Sequence, residues 1–280
     1  MTKPAALSLP VPRLSASWIG GGIVVLIALA AVFAPILGTV DPMAMSPLNR
    51  MKAPSADFWF GTDTYGRDLY SRVLYGGRTS LAVGFAVAIL STVAGLAIGL
   101  FAGYFRRVDG IVMRVMDGVM AIPAILLAIA FSALLGGSLG TVIVAISIAE
   151  IPRVARLIRG LVLSLRGRMY VEAAILAGVS QPRIIWRHIL PNTLAPLIVQ
   201  ATYIFASAML LEAILSFIGA GIPPTTPSWG NIISEGRAVW QIKFHIILYP
   251  AIFLSLAVFA INTFGDGLRD ALDQRGMKHQ

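Results

Sequence analysis

The chain has 280 residues, of which 57% are hydrophobic and 12% charged, with a formal charge of +9 and no cysteine. An ordinary soluble domain carries about twice that charge content, so the composition argues against one. The missing cysteines exclude a disulfide framework, a thiolate metal site and a cysteine nucleophile.

Apolar runs of about 20 residues recur, each long enough to cross the hydrocarbon core as a helix. They are apolar on all sides, whereas membrane β-strands alternate apolar and polar residues. An all-α integral membrane protein follows. In chain order the pattern predicts a tail over 1–17 and six spans, at 18–40, 80–104, 111–135, 139–161, 193–218 and 245–264. Together they form one membrane domain over 18–264, followed by a tail over 265–280. The first run has an alternative reading as a signal peptide, because Lys3 and Arg13 precede it and Ala28-Leu29-Ala30 resembles a cleavage site. It continues unbroken to Leu37, however, which is longer than a usual signal core. The fourth run is followed by Glu150, Pro152 and Arg153, which places Glu150 near its inner end.

Orientation comes from the basic residues, which favour cytoplasmic loops. With the N-terminus inside, the inner segments hold fifteen of the 22 Lys and Arg residues, and the outer segments 41–78 and 219–243 hold the other seven. Both termini are therefore expected in the cytoplasm. This asymmetry accounts for the positive charge without nucleic acid. The two outer segments are rich in Gly, Pro and aromatic residues, with Pro223-Pro224, Pro227, Trp229-Gly230 and Trp240 in the second. Trp and Tyr favour the membrane–water boundary, so short interfacial helices or re-entrant turns are expected there.

A polar, basic island interrupts this apolar chain within 162–192. Val171, Ala174, Ile175 and Gly178 share one helical face. Gly178 suits the left-handed residue that ends a helix, Ser180 suits an N-cap, and Pro182 is tolerated in a first turn. Ile184, Ile185 and Ile189 give a second helix an apolar side, and Pro191 marks an expected break before the next span. A helix–turn–helix outside the lipid is predicted. Two uses fit it. A short helix can seat in a groove on a partner, with Ala173, Ala174 and Ala177 permitting close approach and Arg183 and Arg187 pairing at the rim. Alternatively it is an amphipathic helix resting on anionic lipid.

The same segment resembles the EAA loop of ABC import permeases. Glu172-Ala173-Ala174, then Gly178 and the closing Leu190-Pro191 all match; the usual Ile position is His188, with Ile189 beside it. Phe60-Gly61-Thr62-Asp63, Gly66-Arg67-Asp68, Ser71-Arg72 and Gly76 resemble the outer segment of the dipeptide, oligopeptide and nickel branch, in its "C" member. Leu215 to Gly219, Pro227 to Gly230 and Gly265 to Asp270 fit the same branch. The resemblance implies a type I importer permease fold in a bacterial inner membrane. It implies a sister permease, two ATP-binding subunits and an extracytoplasmic solute-binding protein as partners, with membrane lipid around them. Glu172, Ala173, Ala174, Gly178, Arg183, Arg187, Leu190 and Pro191 would dock the ATPase.

Ionisable residues within spans raise a functional question by default. Asp117 lies three residues after Arg114, and Glu150 three before Arg153, so each pair can close on one helix face. Arg153, Arg156 and Arg159 form a stripe for lipid headgroups or the ATPase. Glu212 lies about 29 Å along its span at 1.5 Å per residue, near the outer end. It meets a cationic cargo, or else it hydrogen-bonds a neighbouring subunit or the Trp229 loop. Glu212 and Gln200 are the candidate translocation-path residues, although Gln200 and Asn262 also suit interhelical hydrogen bonds. Gly95, Gly99 and Gly103 offer a small-residue face for close helix packing.

His188, His245 and His279 share no ligand spacing, and no Gly-x-Ser-x-Gly elbow or phosphate-binding loop occurs. No cofactor is expected, and ATP hydrolysis falls to partner subunits. A self-sufficient secondary transporter or channel would need an ion-coupling site at the midplane, and a membrane enzyme would need clustered catalytic groups. Neither pattern is present in the sequence.

Overall fold

The computed structural model describes residues 13–277, with side chains from 17 to 272. Ten α-helices run α1 Arg13–Val32, α2 Leu69–Tyr104, α3 Arg106–Met120, α4 Ala124–Leu135, α5 Leu139–Arg166, α6 Met169–Leu176, α7 Gln181–Ile184, α8 Leu190–Ile218, α9 Trp229–Gly236 and α10 His245–Met277. A π-helical stretch, Ile185–Ile189, joins α7 to α8. Among the described residues the only β-pairing is an isolated Thr62–Asp68 bridge.

Six even spans are not what the helices show. Among the described residues, three helices are long and apolar enough to cross a membrane: α2, the joined helix Gln181–Ile218, and the part of α10 from His245 to Leu272. A fourth is reached if α3 and α4 count as one broken span, bent by 83°. The expected straight span at 111–135 is this pair. Its break falls at Ala121-Ile122, just ahead of Pro123, because proline disfavours helical backbone in the residue before it. Each remaining expected span has its own reason for falling short. The apolar part of α1, Ser17–Val32, is short. Helix α5 is 28 residues long but carries Glu150, Arg153, Arg156 and Arg159 within one unbroken helix. Helix α10 does not stop at Phe264 but continues to Met277, so part of the expected C-terminal tail is helical. The rest of that tail, and residues 1–12 of the N-terminal one with Lys3, lie outside the described residues.

The core has two parts. In the first, α2 lies along α5 and α8, with Val83, Val87, Val142, Ile146, Val154, Ile158, Val162 and Ile204 buried between them. The face of Gly95, Gly99 and Gly103 makes this contact close: a Cβ on Gly99 would stand 2.6 Å from the Ala155 carbonyl oxygen, and one on Gly103 2.8 Å from Val162 Cβ. The second part gathers α1, α2, α8, α9 and α10 around Trp229, which is buried. One end of the bundle is closed by residues 41–68 and by α9, and is called the cap below. The other end carries the loop from Arg166 to Leu190.

Candidate functional site

The loop runs through α6, a turn over 177–180 and the start of the helix that follows, and the turn's chemistry is local. Helix α6 ends at Leu176, and Gly178 takes φ +74°. The Gly178 N–H donates to the Ile175 carbonyl at 3.0 Å and the Val179 N–H to that of Ala174 at 3.1 Å. These are the paired bonds of a Schellman cap, which needs a left-handed residue at this point. Ser180 then opens α7 with extended backbone. Its hydroxyl makes no capping bond, and only its carbonyl is used, by Ile184 N–H at 3.1 Å.

Two faces of the loop differ in kind. Val171, Ile184 and Ile189 are at most 1% exposed and belong to the same core as α2, α5 and α8. Met169, Leu176 and Trp186 are 86%, 89% and 71% exposed. Glu172, Arg183 and Arg187 are exposed as well, with no ion pair among the described residues. Rooted on one side and bare on the other, the loop presents apolar surface that its own chain does not cover.

The expected break at Pro191 does not occur. Proline has no N–H to give, and its ring crowds the carbonyl four residues back. The π stretch absorbs this: the Leu190 N–H reaches back to the Ile185 carbonyl, one residue farther than in an α-helix. Asn192 Nδ2 donates to the His188 carbonyl at 2.7 Å. Helix therefore continues from Gln181 to Ile218, and the second half of the loop is the end of a long helix rather than a separate piece.

The cap is held by buried charge. Asp63 accepts from Arg67 Nε and from Arg72 Nη1, each at 2.6 Å. Both arginines also pair with Glu235 of α9. The two guanidinium groups are at most 3% exposed and are matched by two carboxylates, so the network is neutral. Deeper in, Glu212 is fully buried and accepts from Ser216 Oγ and Ser228 Oγ, both at 2.8 Å, and from Ser80 Oγ at 3.4 Å. Trp229 closes the same node: its backbone N–H donates to Ser80 Oγ at 3.1 Å and its indole Nε1 to the Val73 carbonyl at 2.9 Å.

Residues 95–278 match the model of a family described as binding-protein-dependent transport system inner membrane component. The chain belongs to that family. It is similar to the "Probable peptide ABC transporter permease protein y4tQ" of Sinorhizobium fredii, with 50% identity over 94% of this chain and 90% of the relative. It is also similar to the "Dipeptide transport system permease protein DppC" of Alkalihalophilus pseudofirmus, with 44% identity over 88% and 82% of the two chains. Among solved structures, a chain of the inward-facing MetNI methionine ABC transporter aligns with a TM-score of 0.60 and 21% identity, covering 72% of this chain and 97% of that one. That likeness speaks to the fold alone. The protein is thus a permease of a binding-protein-dependent ABC importer.

In this permease the expected docking residues, Glu172, Ala173, Ala174, Gly178, Arg183, Arg187, Leu190 and Pro191, lie along one continuous loop. Glu212 and Gln200 do not share a site. Glu212 sits enclosed in its bracket of hydroxyls. Gln200, about 18 Å away along the helix at 1.5 Å per residue, lines a separate cavity of about 420 Å³ with Pro196, Tyr203 and Arg269. Asp117 pairs with Arg156 of α5 at 2.6 Å rather than with Arg114, and Arg159 pairs with Asp109. Two members of the expected arginine stripe therefore tie α5 to α3. Glu150 and Arg153 do pair, at 2.6 Å. Glu235, Ser80 and Ser228 were not singled out as functional from the sequence. The one available signal was that Glu235 is the only acid in the outer segment 219–243.

Proposed function

We propose that this permease forms half of a translocation path for peptides or similar small solutes in a bacterial inner membrane, and that residues 162–192 dock a partner ATPase. The single observation carrying the docking role is the pair of faces on the loop: Leu176, Met169 and Trp186 stand bare while Val171, Ile184 and Ile189 are anchored in the core. Apolar anchors of this kind seat a helix in a groove on a partner. The unbroken helix from Gln181 to Ile218 gives a push at the loop a stiff route into the bundle. Glu172, Arg183 and Arg187 supply charges at the rim.

In this reading six segments cross the bilayer, with α1, α5 and the broken α3–α4 pair completed by neighbours in the assembly. The basic-residue asymmetry supports both termini, 1–17 and 265–280, in the cytoplasm and the segments 41–78 and 219–243 outside. A sister permease supplies the other half of the path. Two ATP-binding subunits bind at the loops, and a solute-binding protein delivers cargo to the caps. ATP binding selects one of two access states, and cargo leaves when the new state holds it less well. The peptide cargo rests on the relatives' names.

The test is co-purification. The permease pair isolated in detergent is expected to bring down its ATPase subunits, and Leu176→Asp is expected to lose them while still inserting in the membrane. Full retention of the ATPase by that variant would remove the loop from the interface.

A further inference from the structure

One cleft carries chemistry that neither the loop nor the cap uses. It is an open cleft of about 370 Å³ at the α3–α4 break, lined by Ala124 of α4, Glu150 and Arg153 of α5, and Ser207, Leu210 and Ile214 of α8. Arg153 Nη1 donates to Glu150 Oε2 at 2.6 Å; the Glu150 side chain is 3% exposed and that of Arg153 57%. A guanidinium offers five N–H donors in a planar fork. Glu150 takes one, and no other partner of Arg153 occurs among the described residues.

Depth decides what this face meets. Arg153 lies about 21 Å along α5 from Leu139 at 1.5 Å per residue, well inside a helix of 28 residues. An arginine half open at that depth does not face hydrocarbon, where ionised groups turn to a polar cavity or a protein partner. The cleft is therefore part of a watered path or of the wall against a second permease. Its size admits the end of a short peptide.

The geometry points to Arg153 as the group that receives the free carboxylate of a peptide in transit, with Glu150 holding the guanidinium in place. This deepens the importer reading and rests on it. Carboxylates are bound by arginine through two parallel N–H···O bonds, and Arg153, with donors left over by Glu150, lines the cleft. Glu150 also limits the hold: it competes for the same guanidinium, so the cargo is recognised without being trapped. A transport site must bind well enough to admit and weakly enough to release.

The chain has no cysteine, so Leu210→Cys places one thiol in the cleft. The assembled transporter carrying this change is treated with two membrane-impermeant methanethiosulfonates, one bearing a sulfonate and one a trimethylammonium group, with the unsubstituted transporter as blank. Rates are divided by those for a free thiol in solution. The sulfonate reagent is expected to be favoured about threefold or more, because a fixed charge concentrates its counter-ion in a narrow cleft. Arg153→Gln is expected to abolish or invert that preference. Trialanine at millimolar concentration is expected to slow the labelling, and trialanine amide to do so much less. If Arg153→Gln fails to assemble, Arg153→Lys carries the test, with protection by trialanine expected to fall toward that of the amide. Absence of labelling by both reagents would place the face in lipid and overturn the proposal. So would equal protection by acid and amide. Failure of the importer reading would appear separately, as a transporter that does not bring down an ATPase.

Discussion

The two ends of this permease handle polarity in opposite ways. The cap buries its charges: Asp63, Arg67, Arg72 and Glu235 neutralise one another, and Glu212 is ringed by three hydroxyls. The loop leaves its charges unpaired within the chain and holds Met169, Leu176 and Trp186 out to solvent. A charge network closed within the chain and a set of charges left open imply different jobs. Leu48 and Trp59 at the cap surface are 94% and 60% exposed, so both ends offer apolar surface, but only the loop also leaves its charges without a partner in the chain. Substitutions at the cap should therefore be felt as folding defects, and substitutions at the loop as association defects.

The largest effect is expected at the cap. Glu235→Ala leaves Arg67 and Arg72 buried with only Asp63 between them. Breaking one side of a buried ion network costs about 3–5 kcal/mol. The expected outcome is a marked fall in folded yield and in the midpoint of thermal unfolding in detergent. If Glu235→Ala melts with the wild type, the network is not what holds the cap.

Next comes the loop's apolar anchor. Leu176→Asp should leave thermal unfolding unchanged, since Leu176 is 89% exposed. ATPase affinity should fall by about thirtyfold, the size of a hot-spot residue worth about 2 kcal/mol. A stability loss without an affinity loss would reverse the contrast between the two ends. Gly178→Val tests the turn itself. No atom lies within 4 Å of the added Cβ, so the cost comes from φ +74° alone. A non-glycine residue in such a conformation costs about 1–3 kcal/mol. Gly178→Asn, which tolerates left-handed backbone, should recover most of the ATPase binding lost in the valine variant. Equal loss for both would point to the side chain rather than the backbone.

Which features were readable from sequence follows from how far apart their partners lie. The loop's turn was legible because Gly178, Ser180 and Pro182 act within a few residues of themselves. The glycine face of α2 was legible from its spacing of four. The cap network was not: Glu235 is 163 residues from Arg72, and no local pattern announces such a pair. Asp117 was assigned to Arg114 by helical spacing, yet Arg156 across the α3–α5 contact is its partner. The helix break ahead of Pro123 was hidden because residues 111–135 hold only two charged residues, Arg114 and Asp117, and so read as one run. Pro191 misled in the other direction, since a π turn lets the helix pass through a proline that local rules treat as a stop.

The smallest expected effect concerns Glu172, and it separates two roles for one carboxylate. Glu172 sits in the first turn of α6, where unpaired N–H groups and the helix dipole favour negative charge. That role alone predicts less than about a threefold change in ATPase binding on Glu172→Gln, because first-turn charge effects at exposed sites are small. Glu172 makes no ion pair among the described residues, so its charge is free to meet a cation on the ATPase. In that case the glutamine variant leaves a partly buried cation unpaired, and the loss grows to about tenfold or more. Salt distinguishes the cases further. Exposed charges are screened as ionic strength rises, so wild-type binding should weaken with salt more steeply than binding of the variant. The measurement is ATPase affinity for the detergent-solubilised permease pair at low and moderate salt. The expected outcome is weaker binding by Glu172→Gln with a shallower salt dependence and unchanged membrane insertion. Equal affinity at both salts would confine Glu172 to starting its helix, and the charge of the docking contact would then fall to Arg183 and Arg187.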